Sequence, residues 1–437
     1  MSNPKISNHF KSRNPSAIRL AQIEFTKRED KNDVIAINTA IGNVSLPMHP
    51  AMQERLNLSS SNSPFNNGIV KYTATVGVEE TNQAFLNIIA ASEFNIDGLY
   101  SQITDGSSSA MMLVLLGTSG LMEEKEKPFL LIDPAYTNYK SMAERLRTPI
   151  ISITRKLQED GEFELPSIDE IKQIIEEKHP SAMLIIPYDN PTGQFMNQES
   201  INNLAKLCVE NDMWLVSDEA YREMYYGDEK MSSVWGITEE EVPGIGGRRI
   251  CLDSSSKVWS ACGLRIGTLI TDNKEFHEKS VNEFTANLCA PALAQYVFGS
   301  LAHIKKEDLK SWFKKQRDYY YPILKNLSDG FKKELPNVII SNPESSIYSV
   351  VDVRNIVKPN FDALSFVMYC AKEGKVEIEG KLTTLLVSPM AGFYNTQEGR
   401  EQGKTQMRIA CVESPENMRK IPELFAKLLK EYEAKRG

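Results

Sequence analysis

Asp253-Ser254-Ser255-Ser256-Lys257, continued by Gly263-Leu264-Arg265-Ile266-Gly267, is the stretch on which the reading of this chain turns. One apolar run, Ile250-Cys251-Leu252, leads into it, and a second, Thr268-Leu269-Ile270-Thr271, follows. The runs read as buried strands and the polar residues between them as a tight turn. Such a turn sets an amine beside several hydroxyls and a guanidinium. Hydroxyls and a planar guanidinium suit a phosphate. A lysine held beside a bound cation or in a dry pocket loses its proton and becomes a Schiff-base nucleophile. Phosphate and Schiff base on one short stretch point to pyridoxal phosphate. A solvated lysine after a Ser-rich turn is the plainer alternative, so the rest of the chain must decide.

At 437 residues the chain is too long for one small core, and two domains are expected. With 41% apolar and 25% charged residues, the composition is that of an ordinary globular protein. A net charge of -8 argues against nucleic acid or an anionic membrane as the main partner. Acidic and basic residues are interspersed, apart from an exposed run at Glu123–Lys127. The six cysteines form no Cys-x-x-Cys pair and read as free thiols of a reducing compartment. The five histidines lack metal-ligand spacing, so no metal site is expected. Met1–Asn14 is polar and unlike a secretory signal, and no apolar run is long enough to span a bilayer. A cytoplasmic location is expected.

Taken in order, the chain predicts a flexible start, a helix around Ile18–Arg28 and a short strand at Val34–Asn38. A surface loop is expected at Ser59–Asn67 and a helix at Val78–Phe94. Thr104-Asp105-Gly106-Ser107-Ser108-Ser109-Ala110 then joins a strand to a helix start, where backbone N–H groups make an anion site. An ordinary serine N-cap is the rival. Apolar runs follow at Phe129–Ile132, Met183–Ile186 and Met213–Val216, with helices at Ile168–Glu177 and Gln198–Asn211. Strands alternating with helices predict a mostly parallel sheet covered on both faces, with ligands beyond the carboxyl ends of its strands. Gly244-Ile245-Gly246-Gly247 lacks a flanking strand and helix and reads as a loop. The pattern is long-helical from Phe276 to Phe331, with a break at Pro291. A smaller α/β unit ends the chain: strands near Val338–Ile340, Ile347–Val351, Val376–Ile378 and Met407–Ala410, a helix near Phe361–Lys372 and a last helix from Pro415.

Asn190-Pro191-Thr192-Gly193, Asp218-x-x-Tyr221, Ser254-x-Ser256-Lys257 and Gly263-x-Arg265-x-Gly267 follow one another at strand ends, with Arg408 near the chain end. In order and spacing they resemble the class I/II aminotransferases, the fold-type I pyridoxal-phosphate enzymes, from Gly42 to the terminal helix. The resemblance implies an α/β fold: a large cofactor domain over residues 50–300, and a small domain built from 1–49 and 301–437. It implies a transaminase moving an amino group between an L-amino acid and a 2-oxo acid through an internal aldimine on Lys257. Lys257 would then shuttle the proton, and Asp218 would keep the pyridine nitrogen protonated. Tyr221 and Asn190 would bond the cofactor's phenolate oxygen. Ser107, Ser108, Ser254, Ser256 and Arg265 would cup the phosphate, and Tyr136 would stack on the ring. Arg408 would grip the substrate carboxylate bidentately, with Gly42 close to the substrate. Tyr72 would reach the phosphate in a neighbouring subunit, which implies a homodimer with shared active sites. Each residue has a plainer reading beside this one: a helix cap for Asp218, a turn residue for Asn190, a core or surface ring for Tyr136, a surface ion pair for Arg408.

Two departures matter. Tyr188 stands two residues before Asn190, where the family commonly has proline, and a local change in the loop is expected. The serine turn lacks the lysine that some acid-specific members carry, and Val281–Gln295 offers no arginine. Aspartate as preferred substrate is therefore not supported unless an acid-binding group comes from elsewhere. A β-lyase, a decarboxylase or an aminocyclopropane-carboxylate-synthase-like activity is the alternative outcome on the same scaffold. A transcription regulator would need a DNA-binding domain ahead of the family-like part, which begins within the first few dozen residues. A dead binding protein fits poorly with Lys257 and Asp218.

Overall fold

The computed structural model describes residues 4–435 apart from 14, 45, 121–126 and 229. The charged run expected at Glu123–Lys127 lies, but for Lys127, outside the described residues, as do Met1 to Asn3 and Asn14 of the polar start.

Seven strands form the central sheet, in the spatial order Tyr100–Thr104, Gly267–Thr271, Arg249–Ser254, Trp214–Asp218, Ala182–Ile185, Phe129–Asp133, Ile150–Thr154. Gly267–Thr271 runs antiparallel to both its neighbours, and the other adjacent pairs are parallel. The run Phe129-Leu130-Leu131-Ile132 shows why such strands read as unbroken apolar segments. Phe129 and Leu131 enter one core with Leu184, Val216 and Leu252, while Leu130 and Ile132 enter another with Met183, Ile185 and Leu215. Side chains alternate across a strand, so a sheet buried on both faces needs every position apolar. Helix Ser107–Ser119 covers the first face and helix Glu79–Ala91 the second. Ser167 and Glu170 close a capping box on helix Ile168–Lys178, and the Asn197 side chain caps Gln198–Glu210.

The C-terminal part carries two smaller sheets. Ile339–Ile340, Tyr348–Asp352, Gln406–Ala410 and Ser388–Pro389 form an antiparallel sheet of four. Ile35–Asn38 pairs in parallel with Lys381–Leu386, which also pairs with Val376–Ile378. The start of the chain is thus stitched to its last third. Helix Ala17–Thr26 packs on helix Ala363–Lys372, and the Arg28 guanidinium donates to the Cys370 and Gly374 carbonyls at 3.2 and 3.1 Å.

Some elements differ from the expectation. Asn8–Lys11 is a helical turn capped by Ser7, not a free start. Residues 276–331 are covered by three helices, Lys274–Phe284, Ala292–Gly299 and Lys306–Glu334, with Pro291 at the break between the first two. The strands Ile150–Thr154 and Lys381–Leu386 had no clear signal. The first is a sheet edge with most residues half-buried, and the second begins with two exposed residues, so neither shows a continuous apolar run.

Candidate active site

The polar residues at the strand ends converge on one cavity of about 230 Å³, as the carboxyl-end rule for such sheets requires. Ser107, Ser108, Tyr136, Asn190, Asp218, Tyr221, Ser254, Ser256, Lys257 and Arg265 all line it, and Gly42 and Arg408 close it from the C-terminal sheets. A larger cleft of about 700 Å³ lies elsewhere, lined by Glu159, Asp160, Glu162 and Glu164 and by none of these residues.

One end of the cavity is built for an anion. Gly106 precedes helix Ser107–Ser119; the Ser109 N–H turns back to the Gly106 carbonyl at 3.1 Å, which leaves the N–H groups of Ser107 and Ser108 without a partner inside the helix. Arg265 sits in the left-handed region at φ 55° and brings its guanidinium back over Gly106. A Cβ on Gly106 would fall 2.3 Å from the Arg265 Nη2, and Gly106 itself has φ 74°, so only glycine fits there. The Ser254 hydroxyl accepts from the Ser256 N–H at 3.2 Å, which draws the two serines into one turn. Arg265 makes no ion pair with an acid among the described residues; its Nη1 donates to the Cys262 carbonyl at 3.0 Å.

The middle holds the amine and the acid. Lys257 Nζ donates to the Gly42 carbonyl at 2.5 Å and stands 5.8 Å from the centre of the Tyr221 ring. Asp218 ends its strand with Oδ2 accepting from the Tyr139 hydroxyl at 2.6 Å and Oδ1 from the Ala220 N–H at 3.1 Å. Burial pushes its carboxyl above the ordinary range, against the pull of Tyr139 and Ala220. Such a carboxylate gains most from a cationic N–H placed before it. Behind it, Arg222 bridges Glu219 at 2.7 Å and Asp253 at 3.0 Å, a buried ion cluster that ties two adjacent strand ends together. Tyr136 meets Tyr139 edge-on with ring centres 5.5 Å apart, and its hydroxyl accepts from Asn138 at 2.7 Å.

At the far end Arg408 is 2% exposed and lies between two aromatic faces, 4.4 Å from the Tyr348 ring centre and 5.1 Å from that of Phe393. Its Nη1 donates to Asn190 Oδ1 at 2.8 Å and its Nη2 to the Ala40 carbonyl at 2.7 Å, while the buried Nε has no partner. A guanidinium with no carboxylate of its own is a receptor for one. Ser16, Ile18 and Arg19 reach the cavity from the start of the chain, and Arg19 forms no ion pair among the described residues.

Tyr72 is the sequence-predicted residue that this cavity does not include: it is 80% exposed and lies beside exposed Ile69 and Val70. Sequence reasoning missed Tyr139, Tyr348 and Arg19. Tyr139 is one helical turn beyond Tyr136, a spacing that would have paired them. Tyr348 stands in an apolar run and reads as core, and Arg19 lies on a helix with no motif. Tyr188, in place of proline, is buried and donates to the Ser232 carbonyl at 2.8 Å, so the loop change adds a tie to a neighbouring segment.

The family model described as "Aminotransferase class I and II" matches residues 66–385. The aspartate aminotransferase of Sulfolobus acidocaldarius is 25% identical over 298 residues, covering 67% of this chain and 69% of that protein. A 2-aminoadipate transaminase of Thermus thermophilus is 27% identical over 239 residues, 54% of this chain and 56% of that protein. Among solved structures, a single mutant of Thermus thermophilus aspartate aminotransferase superposes with a TM-score of 0.77 at 19% identity, covering 98% of this chain and 100% of that one.

Proposed function

The chain belongs to the class I and II aminotransferases, with their fold-type I architecture, and from that premise we propose how its own residues move an amino group from an L-amino acid to a 2-oxo acid. The cofactor in this reading is pyridoxal phosphate, which supplies an electron sink for the bonds at the substrate α-carbon. The donor set fits it: Ser107, Ser108, Ser254, Ser256 and Arg265 meet at the phosphate end, in a cradle that a Cβ on Gly106 would fill. Lys257 holds the cofactor through its amine, and once freed carries the proton away from the substrate α-carbon and returns it on the other side of the transfer. Asp218 keeps the ring nitrogen protonated, and that N–H⁺ offsets the cost of burying the carboxylate. Tyr136 stacks on the ring, and Tyr221 and Asn190 bond its phenolate oxygen. Arg408 takes the substrate α-carboxylate, with Gly42 leaving room for the substrate beside Lys257.

Arg19 bears on the choice of substrate. It is a third arginine on the cavity without an acid of its own, after Arg265 and Arg408. Two anions are accounted for, the phosphate and the α-carboxylate. A third cation suits a side-chain carboxylate, and relatives named for aspartate and 2-aminoadipate act on such acids. We therefore read the substrates as acidic amino acids, with Arg19 supplying the group that the serine turn lacks.

Tyr72 is exposed, as are Ile69 and Val70 just before it in the chain. In this reading it meets the phosphate of a second subunit, and the protein is a homodimer with shared sites. The large domain is residues 50–300 and the small one 1–49 with 301–437. All six cysteines are free, which suits the cytoplasm, and no helix among the described residues is long and apolar enough to cross a membrane.

The observation that carries the proposal is the convergence of Lys257, Asp218, Arg265 and Arg408 on one cavity. Borohydride treatment of the protein mixed with pyridoxal phosphate, followed by peptide mass spectrometry, is the test. The cofactor mass should appear on the peptide bearing Lys257 and vanish in Lys257→Ala. Addition of glutamate to untreated holoprotein should move the visible band to that of the aminated cofactor, and a 2-oxo acid should restore it. Labelling spread over other lysines would sink the assignment, and ammonia or carbon dioxide released without amination would favour a lyase or decarboxylase.

A further inference from the structure

Tyr348 opens the strand Tyr348–Asp352, is 2% exposed, and has none of the roles assigned above. Its hydroxyl oxygen lies 2.6 Å from that of Tyr221, with the two rings edge-on at 5.6 Å. A Cβ on Gly42 would come 2.2 Å from the Tyr348 hydroxyl and 3.3 Å from Lys257 Nζ, so this hydroxyl sits where Gly42, Lys257 and Tyr221 meet. The Arg408 guanidinium covers its ring at 4.4 Å.

Two phenols carry two protons, and a contact between their oxygens uses one of them. If the Tyr221 proton goes to the cofactor's ring oxygen, Tyr221 has only lone pairs left for Tyr348, and Tyr348 must be the donor. The surrounding charges favour that direction. Burial pushes both phenols up, but the cations of Lys257 and Arg408 bring Tyr348 below its ordinary value while Tyr221 stays well above it. The more acidic hydroxyl is the better donor. Both side chains are buried, so water does not compete for either oxygen.

We propose that Tyr348 is a positioning residue for the proton of Tyr221: it donates to the Tyr221 oxygen and so turns the Tyr221 hydroxyl toward the ring oxygen of the bound cofactor. The inference rests on the cofactor reading above. Hydrogen bonds in series polarise one another, so the donation from Tyr348 strengthens that of Tyr221. A stronger donor at the ring oxygen stabilises its anion and lowers the pH at which the proton shared with the Lys257 linkage leaves.

The test is a spectrophotometric pH titration of the visible band of the resting holoenzyme, without substrate, in a double-mutant cycle. Tyr348→Phe keeps the ring under Arg408 and removes one oxygen, and thermal melts check that each variant is folded. The midpoint should rise by about half to one pH unit in Tyr348→Phe, the scale of one lost hydrogen bond. Tyr221→Phe should raise it by at least as much, and the double variant should match Tyr221→Phe. An unchanged midpoint in Tyr348→Phe overturns the proposal. So does the same increment in the Tyr221→Phe background, since Tyr348 would then act without Tyr221. Absence of any Lys257-dependent visible band is a different result: it overturns the cofactor reading, and the proposal falls with it.

Discussion

Tyr139 donates its hydroxyl to the Asp218 carboxylate at 2.6 Å, from a helix that also presents Tyr136 to the cavity. The bond fixes the carboxylate in one orientation while burial works against its charge. Tyr139→Phe removes that support. A hydrogen bond to a charged group is worth about 1.5–3 kcal/mol, so affinity for pyridoxal phosphate should fall by roughly tenfold to a hundredfold. Fluorescence titration of the apoprotein measures it, and an unchanged affinity would show that the Ala220 amide alone holds Asp218.

Gly106→Ala is expected to weaken the phosphate end. The new Cβ meets Arg265 and forces an L side chain into φ 74° with ψ 164°, a backbone penalty of about 1–3 kcal/mol. Arg265 must move aside. Cofactor should then be lost on dialysis that the parent survives, and pyridoxal, which lacks the phosphate, should bind both proteins alike.

Arg19→Gln should separate acidic from neutral substrates. The kcat/KM for aspartate or glutamate should fall by roughly tenfold to a hundredfold, the scale of one charged hydrogen bond. The value for alanine should stay where it was. An equal loss for both would mean that Arg19 supports the N-terminal helix and does not read the side chain.

His49 couples stability to pH. Its Nδ1 accepts from the Ala51 N–H at 3.2 Å, capping helix Pro50–Glu54, and its ring packs edge-on to Trp312 at 4.9 Å. Burial holds its pKa below the ordinary histidine value, with Asp308 opposing and Lys315 adding to the shift. The unfolded chain therefore binds the proton more readily than the folded one. Stability should be complete above the ordinary histidine range and decline as pH falls through it. Protonation also removes the lone pair that makes the cap. Denaturant midpoints from pH 8 to pH 5.5 should fall less steeply in His49→Gln than in the parent.

The central sheet was legible because both of its faces are buried, which leaves runs such as Phe129–Ile132 without polar interruption. Ile150–Thr154 escaped because a sheet edge is only half covered. The site was legible where chemistry and spacing coincide, at Lys257, Arg265, Asp218 and Asn190. Tyr348 was not, since a tyrosine in an apolar strand has the same pattern whether its hydroxyl meets Tyr221 or nothing. Arg19 was invisible for another reason: its place at the cavity depends on helix Ala17–Thr26 docking on Ala363–Lys372, a contact between residues far apart in the chain.

That docking has a consequence for how the protein can diversify. The cavity residues from Ser107 to Arg265, proposed to meet the phosphate and ring, hang from the seven-stranded sheet, whereas Gly42, Tyr348, Arg408 and Arg19 come from the stitched ends of the chain. In the proposed reading, the phosphate cup and the group that selects the substrate side chain, Arg19, are therefore written in separate stretches of sequence. Exchange of the residues around 16–19 between related chains should retarget the donor while leaving the cofactor's spectrum and affinity intact, which makes helix Ala17–Thr26 the natural place to graft a new preference.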